Sequence, residues 1–521
     1  MSERTTAVLH LDPGDSIAVS LGDLAAGQDV TVPGVGTVTA AAEVTRGHKL
    51  AVRPVGVGQP VIKYGQAIGV ALSDIAAGDH VHTHNLGMGT EFDHVPPSSA
   101  GHREYEFATA RIAPEPPAGD RPTFQGYRRA DGRVGTRNYI GVLTSVNCSA
   151  TAARLIADQF RGPVLDDHPA IDGVMALTHN SGCGLVDGSE GAGVLLRTLR
   201  GYAAHPNFAG LLILGLGCEM MELDLITAEL ELSSDLLVER MTIQESGGVR
   251  ATITEGVRRI KEMLPQLDRW QRTPIDASEL ILGLNCGGSD GYSGITANPA
   301  LGVASDLLVG LGGRSVLAET PEIFGAEHLL TRRAVSPEVG RRLLDRIDWW
   351  REYVAAVGGT LDNNPSPGNK RGGLTTILEK SLGAVAKGGR AELTGVYEYA
   401  DRIDRPGFGF MDTPGYDPVS VTGLVAGGAN IVCFTTGRGS VFGCKPVPSI
   451  KIGTNSELAR SMPDDIDINA GTIVDGTESV AEVGRTIFDT LLAVASGHKT
   501  ASEELDIGQD EFVPWQLGAV T

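Results

Sequence analysis

Apolar positions along the chain follow two different rules. Over residues 1–95, short apolar runs at 16–19, 30–32, 49–52 and 68–72 are cut by Gly and Pro every few residues. Little of that stretch carries a helical period, which predicts a small all-β domain. Residues 96–123 are rich in Pro, Ser and Gly and read as a linker. From Phe124 onward, apolar strands at 139–146, 173–178, 211–215, 280–285, 315–319 and 430–435 alternate with helical stretches. The helices are expected at 150–160, 191–203, 247–264, 302–311, 337–357 and 479–495. Alternation of this kind favours layered parallel α/β structure. A break near 270–276 divides it into two α/β parts, 124–275 and 276–521.

Composition narrows the function. Of 521 residues, 41% are hydrophobic and 21% charged, as in a globular protein. A net charge of −21 and only 5% aromatic residues oppose binding to nucleic acid or anionic lipid. The N-terminus is polar and no apolar run of about 18 residues occurs, so a cytoplasmic enzyme without a membrane segment is expected. Six cysteines in such a chain are not a disulfide framework. Their placement is informative instead. Cys148, Cys183 and Cys218 are spaced by 35 residues, and each follows an apolar run, as does Cys286. Ligands of open α/β sheets bind at the carboxyl ends of strands, so these cysteines mark a crevice.

Several local constellations carry chemistry. In Asp79-His-Val-His-Thr-His-Asn85, alternate histidines on a strand would share a face and offer imidazoles to a transition metal. His179 and Cys183 stand four apart in a Gly-containing turn, offering a ligand or a general base. Glu219, Asp290 and Glu319 add carboxylates at strand ends. Arg128, Arg129, Arg133 and Arg137 form a basic loop suited to carboxylate binding. Two Gly-rich loops, one with Lys370 and one with Arg438 and Lys445, suit an oxyanion. Neither fits the phosphate-loop spacing, and no dinucleotide fingerprint links a strand to a helix.

Taken together, HVHTHN, RADGRVGTRN, NCS, HNSGCG, GLGCE, NCGGSDGYSGITANPALG, NPSPGNKRGGLTTILEKSLG, MDTPGYDPVSVTGLVAGGAN, FTTGRGS and KPVPSIKIGTN resemble the altronate/galactarate dehydratase family over nearly the whole chain. The resemblance implies a β-clip SAF domain ahead of two Rossmann-like parts. It also implies a hydro-lyase that converts an aldonate or aldarate, D-altronate first, to a 2-keto-3-deoxy acid. The cofactor implied is a divalent metal, iron(II) or manganese(II). On this footing the metal is assigned to His82 and His84 with Cys148, Cys183, Cys218 or Glu219. His179 is the first choice of general base or acid, with Lys445 second and Glu319 as a further catalytic carboxylate. Arg137, Asn147, Ser149, Gly287, Gly288, Ser289, Asp290, Lys370 and Arg438 are the expected substrate contacts. A galactarate dehydratase or related lyase, a sulfo-lyase, a nicotinamide-dependent oxidoreductase and a non-catalytic sugar-acid sensor are the alternatives. A homodimer is compatible with all of them.

Overall fold

The computed structural model of the protein describes residues 7–89, 105–110, 119, 121–228 and 230–518. The N-terminal region is strand-rich and antiparallel throughout. One sheet orders Val8–Leu9, Ile17–Ser20, Lys49–Ala51 and His80–Val81, and a second orders Pro60–Lys63, Gln66–Ala71 and Leu86–Gly87. Val8, Ala18, Val30, Val44 and Leu50 form a small core of their own. The linker expected at 96–123 lies mostly outside the described residues. Ala108 and Ala110 within it donate backbone hydrogen bonds to Thr331 and Arg332 of the C-terminal part.

Two parallel sheets follow. The smaller is ordered Gly173–Leu177, Tyr139–Thr144, Phe208–Gly215, Leu237–Thr242, all parallel. Every residue of Phe208–Gly215 is buried, because helices cover both faces of such a sheet. The larger orders Leu393–Tyr397, Gly407–Met411, Arg314–Leu317, Ile281–Cys286, Ile431–Thr436, Ser449–Gly453 and Ile468–Asn469, again all parallel. A short antiparallel sheet of Val134–Gly135, Thr123–Arg128 and Thr273–Asp276 ties the two α/β parts together.

The helices start where side chains satisfy their free N–H groups. Ser479 accepts from Glu482 N–H while the Glu482 carboxylate returns the bond, opening helix Val480–Ala495. Ser336 and Pro337 open Pro337–Ala356 in the same sense. Among the described residues, no helix is long and apolar enough to cross a membrane.

In the large sheet the chain enters at Ile281–Cys286, proceeds to one side, and later returns to the other side through Ile431–Thr436. The strand order therefore reverses beside Cys286. Such a reversal is where open α/β sheets form a ligand crevice, at the carboxyl ends of the strands.

Candidate active site

Cys286 ends its strand inside this crevice, with its Sγ 3.5 Å from Glu319 Oε2 and 3.4 Å from Glu322 Oε2. Glu319 follows strand Arg314–Leu317 in a left-handed backbone conformation, φ 72°, which side-chain-bearing residues seldom adopt. Its N–H is held by Thr413 Oγ1 at 2.8 Å. Lys387 Nζ donates to Glu319 Oε2 at 3.0 Å, and Lys380 Nζ donates to Glu322 Oε1 at 2.6 Å. Asn364 Nδ2 also donates to Glu322 Oε1 at 2.8 Å. All these side chains but Asn364 are nearly or fully buried. Glu319 Oε1 is buried with no hydrogen-bond partner. An orphaned buried oxygen of this kind points to a missing ligand.

The electrostatics separate the two carboxylates. Burial, then the Glu322 charge, raises Glu319 to about 8. Burial also opposes ionisation of Glu322, but Lys380 and Lys387 outweigh it and hold that carboxyl low. Asp417, in the first turn of helix Asp417–Ala426, is raised to about 7 by burial and then by Glu322. Cys286, Glu319 and Glu322 offer three ligand atoms within 4.8 Å of one another, and no other such group occurs among the described residues. One sulfur and two carboxylates with an unsatisfied oxygen fit a divalent transition metal.

The loop from Asn364 to Gly373 connects this centre to the N-terminal domain. Asn364 contacts Glu322 at one end, and Arg371 O receives His48 Nε2 at 3.2 Å near the other. His48 Nδ1 lies 3.0 Å from His80 Nε2, and the rings of His82 and His84 pack beside them. His82 and His84 do not share a strand face as expected. The strand stops at Val81, and a turn closed by Asn85 N–H on His82 O carries both. His80, left out of the metal assignment, is in the middle of the cluster. Burial lowers His80 to about 4 and His82 to about 3, so both are neutral, and His82 Nδ1 is buried without a partner.

The N-terminal domain is clamped in place. Lys49 and Lys63 both donate to Glu379, and all three side chains are fully buried. Tyr292 Oη donates to Ser20 O at 2.6 Å. Gly291 packs so closely that a Cβ there would lie 2.1 Å from Gly47 O.

Besides His82 and His84 in the N-terminal cluster, the predicted residues divide among four places. Glu319, Gly287, Gly288, Ser289, Asp290 and Arg438 gather around the crevice. A Cβ on Gly287 would meet Asp417 Oδ2 at 2.3 Å, and Arg438 N–H donates to Gly288 O. Asp290 is occupied, its carboxylate receiving Tyr292 N, Ser293 Oγ, Thr454 Oγ1 and Asn455 Nδ2. Lys370 lies in the short helix Pro367–Arg371 of the connecting loop. Asn147, Ser149, His179, Cys148, Cys183, Cys218 and Glu219 sit together at the end of the smaller sheet. Arg137 and Lys445 lie apart, in ion pairs with Glu503 and Asp506.

Several expectations are corrected by these partners. His179 Nε2–H donates to Thr144 O and its Nδ1 accepts Ser181 N–H, so the buried ring has no nitrogen left for proton transfer. Glu219 accepts from Ser145 Oγ and from the N–H groups of Leu216, Gly217 and Cys218, which saturates it as a loop anchor. Ser149 Oγ is buried against Val146 O and Leu214 O. Arg137, 2% exposed, satisfies Glu503 and three backbone carbonyls, and serves packing instead of substrate. Sequence reasoning passed over Glu322, His48 and the Lys49–Lys63–Glu379 clamp, and left Asp417 as a motif carboxylate without a role. Lys380 and Lys387, spaced seven apart after the Gly-rich loop, were the available signal.

Three family models match successive parts of the chain. Residues 6–89 match the family model for the altronate/galactarate dehydratase SAF domain. Residues 126–268 match that for the D-galactarate dehydratase/altronate hydrolase second domain, and residues 277–520 that for the D-galactarate/altronate dehydratase C-terminal domain. The altronate dehydratase of Bacillus subtilis is 36% identical over 494 residues, 94% of this chain and 95% of the relative. That of Escherichia coli is 37% identical over 494 residues, covering 94% and 96%. The galactarate dehydratase (L-threo-forming) of Escherichia coli is 38% identical over 462 residues, covering 88% and 87%. With its three parts matched in order and nearly its full length aligned, the chain belongs to the altronate/galactarate dehydratase family.

Proposed function

We propose that the protein is a hydro-lyase that eliminates water from a sugar acid, with D-altronate the first candidate and galactarate the second. The observation that supports this most is the buried Cys286–Glu319–Glu322 centre with its two lysines, at the strand ends of a chain whose relatives are named as dehydratases of these two acids.

Elimination from a 2,3-dihydroxy acid requires loss of a weakly acidic proton beside a carboxylate and departure of hydroxide from the next carbon. Cys286, Glu319 and Glu322 would hold a divalent ion, iron(II) or manganese(II). When bound, it supplies Lewis acidity toward the substrate carboxylate and hydroxyl. Lys380 and Lys387 balance the ligand charge and favour anion build-up in the crevice. Asp417, buried beside Glu322 and raised by both, is assigned the proton transfer between substrate and leaving hydroxyl. Arg438 and Lys370 are assigned the distal substrate groups, and the histidine cluster of the N-terminal domain braces the loop that carries Lys370 through His48.

The test is a panel of aldonates and aldarates incubated anaerobically with iron(II) or manganese(II), with 2-keto-3-deoxy acids detected. Keto acid from altronate or galactarate is expected. Absence of product from every member would reject the reading.

A further inference from the structure

The smaller parallel sheet carries a donor set that the proposed reaction leaves unused. Three of the six cysteines are exposed, Cys148, Cys183 and Cys218, while Cys286, Cys433 and Cys444 are buried. The exposed three follow three neighbouring strands, Tyr139–Thr144, Gly173–Leu177 and Phe208–Gly215, with the first in the middle. Adjacent strands lie about 4.8 Å apart, so all three loops arise within roughly 10 Å.

Those loops are fastened to one another. Asn147 N–H donates to Ser181 O at 2.9 Å, and Met221 N–H donates to Gly182 O at 3.1 Å. Gly182, at φ 97°, approaches so closely that a Cβ would stand 2.1 Å from Ser145 O. His179 and Glu219 put all their polar atoms into bracing the same turns. Gln244 Nε2 donates to Cys218 Sγ at 3.6 Å, the kind of bond that tunes a thiolate ligand. Exposed free thiols are reactive and are a liability on a surface without a purpose. Three on one rigid edge point to a soft ligand.

The spacing selects among soft ligands. The three thiols are not among the groups whose ligand atoms all fall within 4.8 Å of one another. A single tetrahedral zinc with bonds of about 2.3 Å needs sulfurs closer than that, about 4 Å apart. A polynuclear cluster puts each thiolate on a different iron and accepts a wider triangle. We propose that Cys148, Cys183 and Cys218 ligate a four-iron iron–sulfur cluster, one iron each. The fourth iron is left to an oxygen ligand from solvent or a hydroxy acid. Glu219 cannot supply that ligand because its carboxylate is fully occupied.

The full-length chain, purified anaerobically and reconstituted with equal amounts of ferric and ferrous iron and with sulfide, should retain about four iron and four acid-labile sulfide per chain. It should also show the sulfur-to-iron charge-transfer absorption. Cys148→Ser, Cys183→Ser and Cys218→Ser should each lower retained sulfide at least threefold, and Cys433→Ala should leave it unchanged. Alkylation gives an independent reading. The cluster should protect these three thiols from iodoacetamide in the unaltered chain, and chelation of iron should release them. Retention of sulfide in the triple serine variant, or one zinc or iron at these cysteines without sulfide, would overturn the proposal.

Discussion

Replacing Glu379 by Gln removes the carboxylate shared by two fully buried lysines. Lys49 Nζ and Lys63 Nζ each lie 2.8 Å from Glu379, which also accepts Thr375 N–H at 3.0 Å and Thr375 Oγ1 at 2.7 Å. At an effective dielectric of 20, each contact has a gross attraction of about 6 kcal/mol. Desolvation offsets much of it, and stranding a buried charge leaves a net loss of about 3–5 kcal/mol. A second route gives a similar figure. Burial and then the neighbouring Lys63, against the pull of Glu379, leave Lys49 at about 8, so without Glu379 this lysine folds unprotonated. Shedding that proton at pH 7 costs about 4–5 kcal/mol relative to an unfolded lysine near 10.4. The unfolded chain then binds more protons than the folded one, so the deficit of the variant shrinks as pH rises. The slope is about 1.4 kcal/mol per unit near pH 7 and flattens above pH 8, where Lys49 of the unaltered protein sheds its own proton. Urea unfolding of both proteins at pH 7, 8 and 9, followed by circular dichroism, measures this, and limited proteolysis reports release of the N-terminal domain. A loss below about 1 kcal/mol, or a deficit independent of pH, would refute the buried-charge account.

Three further outcomes are expected. Asp417→Asn should lower kcat of the elimination by about 10²–10⁴ with bound metal unchanged, read by steady-state kinetics and metal analysis. Arg137→Ala should destabilise the protein by about 3–5 kcal/mol through the abandoned Glu503 and three carbonyls, while KM for the sugar acid stays within twofold. His205 donates Nε2–H to Ala429 O and accepts Asn207 N–H, and burial lowers it to about 4. An unfolded histidine takes a proton near 6.5, so stability is full above that pH and falls as pH drops toward 4. The largest loss is about 3 kcal/mol, and acid titration of the melting temperature should be shallower in His205→Gln.

Local pattern alone carried much of the architecture. The helices Glu190–Ala203, Pro337–Ala356 and Val480–Ala495 and the strands Tyr139–Thr144 and Ile281–Cys286 announce themselves through apolar period, caps and flanking Gly. Those signals involve residues a few positions apart, so the chain states them directly. Strand Leu237–Thr242 escaped because Glu239 and Arg240 interrupt its apolar run at the sheet edge. Motifs likewise marked Cys286, Glu319 and the loop at Lys370 as neighbours of chemistry. Which groups meet was a separate matter. Glu322, Asp417 and His48 join their partners across dozens to hundreds of residues, and a side chain's availability depends on who already holds its polar atoms. His179, Arg137 and Glu219 resemble catalytic or ligand residues in the sequence, yet folding satisfies every donor or acceptor they would need. Glu319 is the reverse case, since only burial beside Glu322 leaves it with a raised pKa and an unsatisfied oxygen. Residue type and spacing are written along the chain, whereas desolvation and hydrogen-bond saturation exist only after distant segments pack.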